Sequence, residues 1–182
     1  MASENERSGK RLAYADPPYP GQAARHYRDH PDYAGEVDLA ALIAQLADYD
    51  GWVLHTSSVA LRDVLPLCPS DVRVMAWVKP FAAFRANIPV AYAWEPVLVK
   101  VARKQQVNGR VVMRDYIACP IAMKRGLTGA KPEAVCRWCF EVMGAQRHDE
   151  LHDLFPGTGA VSRAWQSWQS QGTLLNAANG TP

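Results

Sequence analysis

The sequence has no apolar run long enough to cross a membrane, and its first residues, Met1-Ala2-Ser3-Glu4-Asn5-Glu6-Arg7, are polar and unlike a signal peptide. A soluble, cytoplasmic chain without a membrane partner is expected. Charge of one sign is also scarce. The formal net charge is only +2, so composition makes no case for nucleic acid, and any such case must rest on local clustering. Cysteine is sparse as well. Of the four, Cys136 and Cys139 form a Cys-x-x-Cys pair, but no second Cys or His pair at zinc-ligand spacing accompanies them. They fall inside a helical pattern and read as buried free thiols. The five histidines, His26, His30, His55, His148 and His152, form no ligand spacing, and no metal is expected. Internal repeats and low-complexity blocks are lacking, which excludes repeat architectures.

What remains describes one domain. The chain has 182 residues, 48% of them hydrophobic, enough to bury a substantial core. Residues 1–10 read as a mobile tail, 11–172 as a single domain and 173–182 as a second tail. Residues 12–15 are a short apolar strand. Asp38 caps a helix with Leu39, Leu42, Ile43 and Leu46 on one face, ended by Asp50-Gly51. Residues 52–57 form the next strand, and Ser58 opens a short helix that stops at Pro66. Residues 72–78 and 95–101 are two more strands separated by a turn-rich stretch. Lys131-Pro132-Glu133 starts an amphipathic helix to Met143, with Val135, Trp138, Cys139 and Val142 on its apolar face. Trp165 and Trp168, three apart on a later helix, read as packing residues. The alternation predicts an α/β fold, a mainly parallel sheet with helices on both faces.

Two corners of this pattern carry chemistry. Asp16-Pro17-Pro18-Tyr19 closes the first strand, and two prolines can neither continue a ladder nor enter a helix, so the chain turns there. One carboxylate and one aromatic ring are left at a strand's C-terminal end, where open α/β sheets bind ligands. The residue types suit an exocyclic amine on a nucleobase, whose lone pair is delocalised into the ring. Asp16 can accept one N–H, the Pro17 carbonyl the other, and Tyr19 offers a face on which an extruded base stacks. Such a tetrapeptide is also an ordinary turn, and a second corner gives it weight. Asp153-Leu154-Phe155-Pro156-Gly157-Thr158-Gly159 lies between a short apolar segment and the helical pattern from Ala160. Its glycines let backbone approach a ligand, and a helix N-terminus presents free N–H groups to an anionic group.

This pair of motifs resembles the amino-methyltransferases that use S-adenosylmethionine (SAM), with their Asp/Asn/Ser-Pro-Pro-Tyr/Phe/Trp corner and Phe-x-Gly-x-Gly turn. The corner precedes the turn, as in the circularly permuted DNA amino-methyltransferases of bacteria and phages and the messenger-RNA adenine methyltransferase family. Trp77-Val78-Lys79-Pro80, Trp94-Glu95-Pro96-Val97-Leu98 and Lys131-Pro132-Glu133 are similar in type and order to segments of those families. The resemblance spans residues 12–168. It implies a Rossmann-like methyltransferase fold and SAM-dependent methylation of the N6 amino group of adenine in DNA. Asp16, Pro17, Pro18 and Tyr19 would orient the flipped base. Asp16, Lys131, Asp153, Phe155, Gly157, Thr158 and Gly159 would border the cofactor, with Lys131 pairing with its methionine carboxylate.

Residues 100–130 are one-sidedly basic and would form a nucleic-acid rim: Lys100, Arg103, Lys104, Arg110, Arg114, Lys124 and Arg125. Arg25 and Arg28, in a long loop over 20–35, would join it; solvated loops carry such charge as well. This is little chain for target recognition, so a homodimer or a partner subunit would supply specificity. Alternatives are a non-catalytic DNA-binding subunit, or an amino-methyltransferase acting on RNA or cytosine N4.

Overall fold

A strand that is apolar along its whole length needs cover on both faces, and Leu12, Ala13, Tyr14 and Ala15 are all fully buried. The computed structural model describes residues 9–19, 36–80, 89–103, 112–121 and 130–171. Its elements in chain order are β1 (Arg11–Ala15), α1 (Leu39–Leu46), β2 (Gly51–His55), α2 (Leu61–Val64), a 3-10 turn (Leu65–Leu67), β3 (Arg73–Val78), β4 (Trp94–Lys100), β5 (Tyr116–Ala118), α3 (Glu133–Val142), β6 (Glu150–Asp153) and α4 (Ala160–Gln171). The strands form one sheet in the order β5-β3-β4-β2-β1-β6. Asp38 caps α1 as expected, its Oδ1 accepting from the N–H groups of Ala40 and Ala41 at 2.9 and 3.1 Å. Pro66 does end the α-helix, but the chain winds on through the 3-10 turn, whose opening residues need no donor.

The sheet is mainly parallel, with one reversal. β1 is parallel to β2 and β6, and β3 is parallel to β5, whereas β4 is antiparallel to both β2 and β3. The C-terminal ends of five strands therefore share an edge with the N-terminal end of β4. β5 falls in the segment read from sequence only as basic. Three residues are too few to show a period.

Alternation along the strands sends side chains to two layers. Leu12, Tyr14, Val53, Met75, Trp77, Val97 and Val99 pack against α3 and α4, while Ala13, Ala15, Trp52, Leu54 and Leu98 pack against α1 and α2. Trp165 and Trp168 do serve packing, stacked on each other with centroids 5.0 Å apart and edge-on to Phe140. Cys136 and Cys139 are buried free thiols, and burial pushes the Cys136 thiol up to about 12. No helix among the described residues is long and apolar enough to cross a membrane.

The edge opposite the strand ends just named is pinned by Asp149. Its oxygens accept from the Arg103 guanidinium at 2.6 Å twice, from the Lys10 N–H at 2.8 Å and from the Gln146 N–H at 2.7 Å. Gly51, which starts β2 beside it, has no room for a side chain. A Cβ there would lie 2.7 Å from the Ala102 nitrogen and 2.6 Å from its Cβ. Gly51→Val is therefore expected to cost about 1–3 kcal/mol in urea unfolding through overpacking alone.

Candidate active site

Residues from five elements meet at the shared sheet edge. The hub is Glu95, second residue of β4 and 3% exposed. A buried carboxylate must be paired, and four donors surround this one. Oε1 accepts from Lys131 Nζ at 2.7 Å and from His55 Nδ1 at 2.7 Å, and Oε2 from Lys79 Nζ at 2.8 Å and the Tyr19 hydroxyl at 2.6 Å. Burial alone would raise the Glu95 pKa, but Lys131, His55 and Lys79 outweigh it and hold the group well below the usual carboxylate range. An ionised Glu95 is a pure acceptor, which assigns a proton to His55 Nδ1. The far ring nitrogen of His55 meets the Tyr14 hydroxyl at 2.7 Å.

Lys131 joins the hub to Asp16. Its side chain is 7% exposed and its ammonium lies 3.0 Å from Asp16 Oδ1, over the ring of Trp77. Burial favours the neutral amine, yet Asp16 and Glu95 more than compensate and raise the Lys131 pKa. Lys131, expected to pair with the cofactor's carboxylate, has its charge held here between two carboxylates of the chain. Asp16, His55 and Glu95 offer ligand atoms within 4.8 Å of one another, the spacing of a metal site. The Lys131 ammonium is the cation bonded to both carboxylates there.

The second corner emerges beside the first. β1 and β6 are parallel neighbours with Tyr14 opposite Asp153, so Asp16 and the glycine turn leave the same edge on adjacent strands. Asp153 closes the turn, accepting from the Phe155 N–H at 3.3 Å and the Ser162 hydroxyl at 3.5 Å. Burial, reinforced by the neighbouring Asp16, raises its pKa. Gly157 and Gly159 have φ of +42° and +70°, the left-handed region where glycine carries no steric cost. A Cβ on Gly157 would meet nothing nearer than the Phe155 oxygen at 3.8 Å, so the turn is open above it. The Thr158 carbonyl accepts from Arg163 at 2.9 Å, stapling the turn to α4.

The basic segment does not gather at this edge. Because β4 runs backwards, Lys100 ends opposite Trp52 at the far edge, and Arg103 beyond it is bound to Asp149. Arg114 lies on its own Tyr116 beside edge strand β5. Lys100 and Arg103, expected in a basic rim near the corners, thus stand at the opposite edge of the sheet. Arg25, Arg28, Lys104, Arg110, Lys124 and Arg125 lie outside the described residues. Sequence reasoning assigned no role to Glu95, His55, Lys79 or Tyr14. One signal for Glu95 was an acid inside an otherwise apolar strand, which has to find partners.

No family model and no curated protein matches the sequence. Among solved structures the chain is similar to a crystal structure of an M1.HpyAVI-SAM complex, with a TM-score of 0.61 at 17% identity over 90% of this chain and 80% of that one. It is also similar to the crystal structure of M1.HpyAVI, at 0.50 and 15% identity over 90% and 78%. The likeness is one of fold and establishes the Rossmann-like α/β architecture.

Proposed function

We propose that the chain is a SAM-dependent amino-methyltransferase acting on the N6 amino group of adenine in DNA. The observation that carries this reading is the adjacency of the two corners: Asp16 and Asp153 are far apart in sequence, yet their strands pair in parallel and both leave one edge. An acceptor for an amine thus stands beside an open glycine turn. The order of the corners along the chain, with the turn second, supports a permuted relation to methyltransferases of the other order.

The turn suits the cofactor. Asp153 and Asp16 bring negative charge toward a ligand that carries a sulfonium and an ammonium group, and Gly157, without a side chain, leaves the space above it open. When bound, SAM would supply an electrophilic methyl group carried on a sulfonium sulfur. The protein's part is placement. Asp16 Oδ1 is fixed by Lys131, and Oδ2 has no partner among the described residues, so it is available to one amine N–H. The Pro17 carbonyl takes the other, and drawing both N–H bonds away frees the nitrogen lone pair for attack. Tyr19, tethered through its hydroxyl, presents its ring to the base. Trp94 and Tyr92, 41% and 60% exposed at the start of β4, offer further stacking faces that favour a nucleobase acceptor over an aliphatic amine.

Calorimetric titration of SAM and S-adenosylhomocysteine tests the cofactor. Wild type is expected to bind both, and Gly157→Trp to bind about a hundredfold more weakly, a loss of roughly 2.8 kcal/mol. A Cβ there has space, but the φ of +42° strains any side chain, so circular dichroism recorded alongside shows whether the variant keeps the wild-type fold. Wild type that binds neither ligand sinks the enzymatic reading in favour of a non-catalytic subunit. A screen of DNA, RNA and free nucleosides as methyl acceptors tests the substrate.

A further inference from the structure

Both residues on which the proposed chemistry turns are tied to one buried carboxylate. We infer that Glu95 is a positioning residue for methyl transfer: it fixes Lys131, which aims Asp16, and it anchors the Tyr19 hydroxyl, so that acceptor and stacking face are held in one arrangement. The inference rests on the amino-methyltransferase reading above.

Stability alone does not ask for an ionic cluster at this place. Glu95 is the second residue of a strand whose later residues, Val97, Leu98 and Val99, are fully buried and apolar, so the surroundings could house an apolar cluster in place of the whole ionic one. Well-packed apolar substitutes for buried ionic clusters are commonly neutral or stabilising. What an apolar residue cannot do is bind four donors from four separate strand or helix ends: Tyr19 after β1, His55 at the end of β2, Lys79 after β3 and Lys131 before α3. All four stand at the site edge, and two of them continue to the catalytic corner. Lys131 reaches Asp16 at 3.0 Å, and Tyr19 is itself part of the corner. The ammonium is located by two carboxylates at 2.7 and 3.0 Å; with one removed, it and Asp16 are free to turn together. A displacement near 1 Å at a reacting group costs about a hundredfold in rate.

The test uses the full chain with an adenine-containing duplex and SAM. Glu95→Gln keeps the shape and removes the charge. Its kcat is expected to fall about a hundredfold while SAM affinity stays within about threefold. Combined with Lys131→Met, the double variant should be no slower than the slower single one, since both changes break one chain of contacts. A catalysis-independent arm follows acetylation of Lys131 by mass spectrometry relative to Lys100. Glu95→Gln should raise it about tenfold, as the ammonium loses a counter-charge and becomes easier to deprotonate. If Glu95→Gln does not fold, Glu95→Asp, which keeps the charge but shortens its reach, is expected to show the same kcat loss at unchanged SAM affinity. An inactive wild type overturns the enzymatic reading. An active wild type whose Glu95 variant keeps its kcat and still protects Lys131 overturns the positioning role alone.

Discussion

Asp16→Ala is expected to slow methyl transfer by about a thousandfold, the scale on which loss of one oriented polar group at a reacting centre is felt. The expectation follows from what alanine removes and what it spares. It removes the only carboxylate of the corner, the acceptor proposed to draw an amine N–H away from the ring. It spares the fold, because Lys131 keeps its bond to Glu95 at 2.7 Å and is not left as a stranded buried charge. SAM affinity should therefore change by only a few-fold, a split that calorimetry and radiolabelled methyl incorporation would resolve together. Asp16→Asn keeps a carbonyl oxygen for the amine and should fall between wild type and alanine. Near-wild-type turnover in Asp16→Ala would remove this residue from the mechanism.

The largest stability effect is expected at the opposite edge. Asp149→Ala should lower the free energy of unfolding by about 3–5 kcal/mol, because it leaves the Arg103 guanidinium and two backbone N–H groups without their acceptor. The Asp149 side chain is 0% exposed, so water does not replace the lost bonds. Against a total of about 5–15 kcal/mol this is a large share, and urea denaturation would show it as a lowered midpoint. A pH signature accompanies it. Burial alone would raise the Asp149 pKa, but Arg103 and the N–H groups of Lys10 and Gln146 overcome it and hold the pKa below the ordinary value. A lowered pKa in the folded state means that the stabilisation is present above the unfolded value of about 3.9 and is lost as pH falls through the lower folded one. Glu95 acts in the same direction. Wild type should thus lose stability steeply below about pH 4, and Asp149→Asn should flatten that slope in part, leaving the share carried by Glu95. An unchanged slope in the asparagine variant would show that Asp149 does not carry the acid sensitivity.

The turns at the two corners were legible because each is local. A proline pair after an apolar run turns the chain whatever surrounds it, and the glycines of 157–159 mark positive φ by residue type alone. The helix over Glu133–Val142 was likewise written in its own periodicity, and its buried face includes Val135, Trp138, Cys139 and Val142 as expected. The contacts of Lys131 with Glu95 and Asp16 were not legible, since nothing in Lys-Pro-Glu says that an acid 36 residues earlier will stand beside it.

The sequence by itself determined where this chain turns, which faces of its elements are apolar, and that an aspartate and a glycine turn close two of its strands, for these follow from backbone sterics and side-chain period within a few residues. Only the tertiary structure decided strand direction and neighbours. The reversal of β4 carries Glu95 to the site edge and, along the same strand, takes Lys100 and Arg103 to the other. Parallel pairing of β1 with β6 sets Asp16 beside Asp153. Such choices are made by the packing of whole layers, in which every element must bury its apolar face at once, and no single stretch of residues contains them.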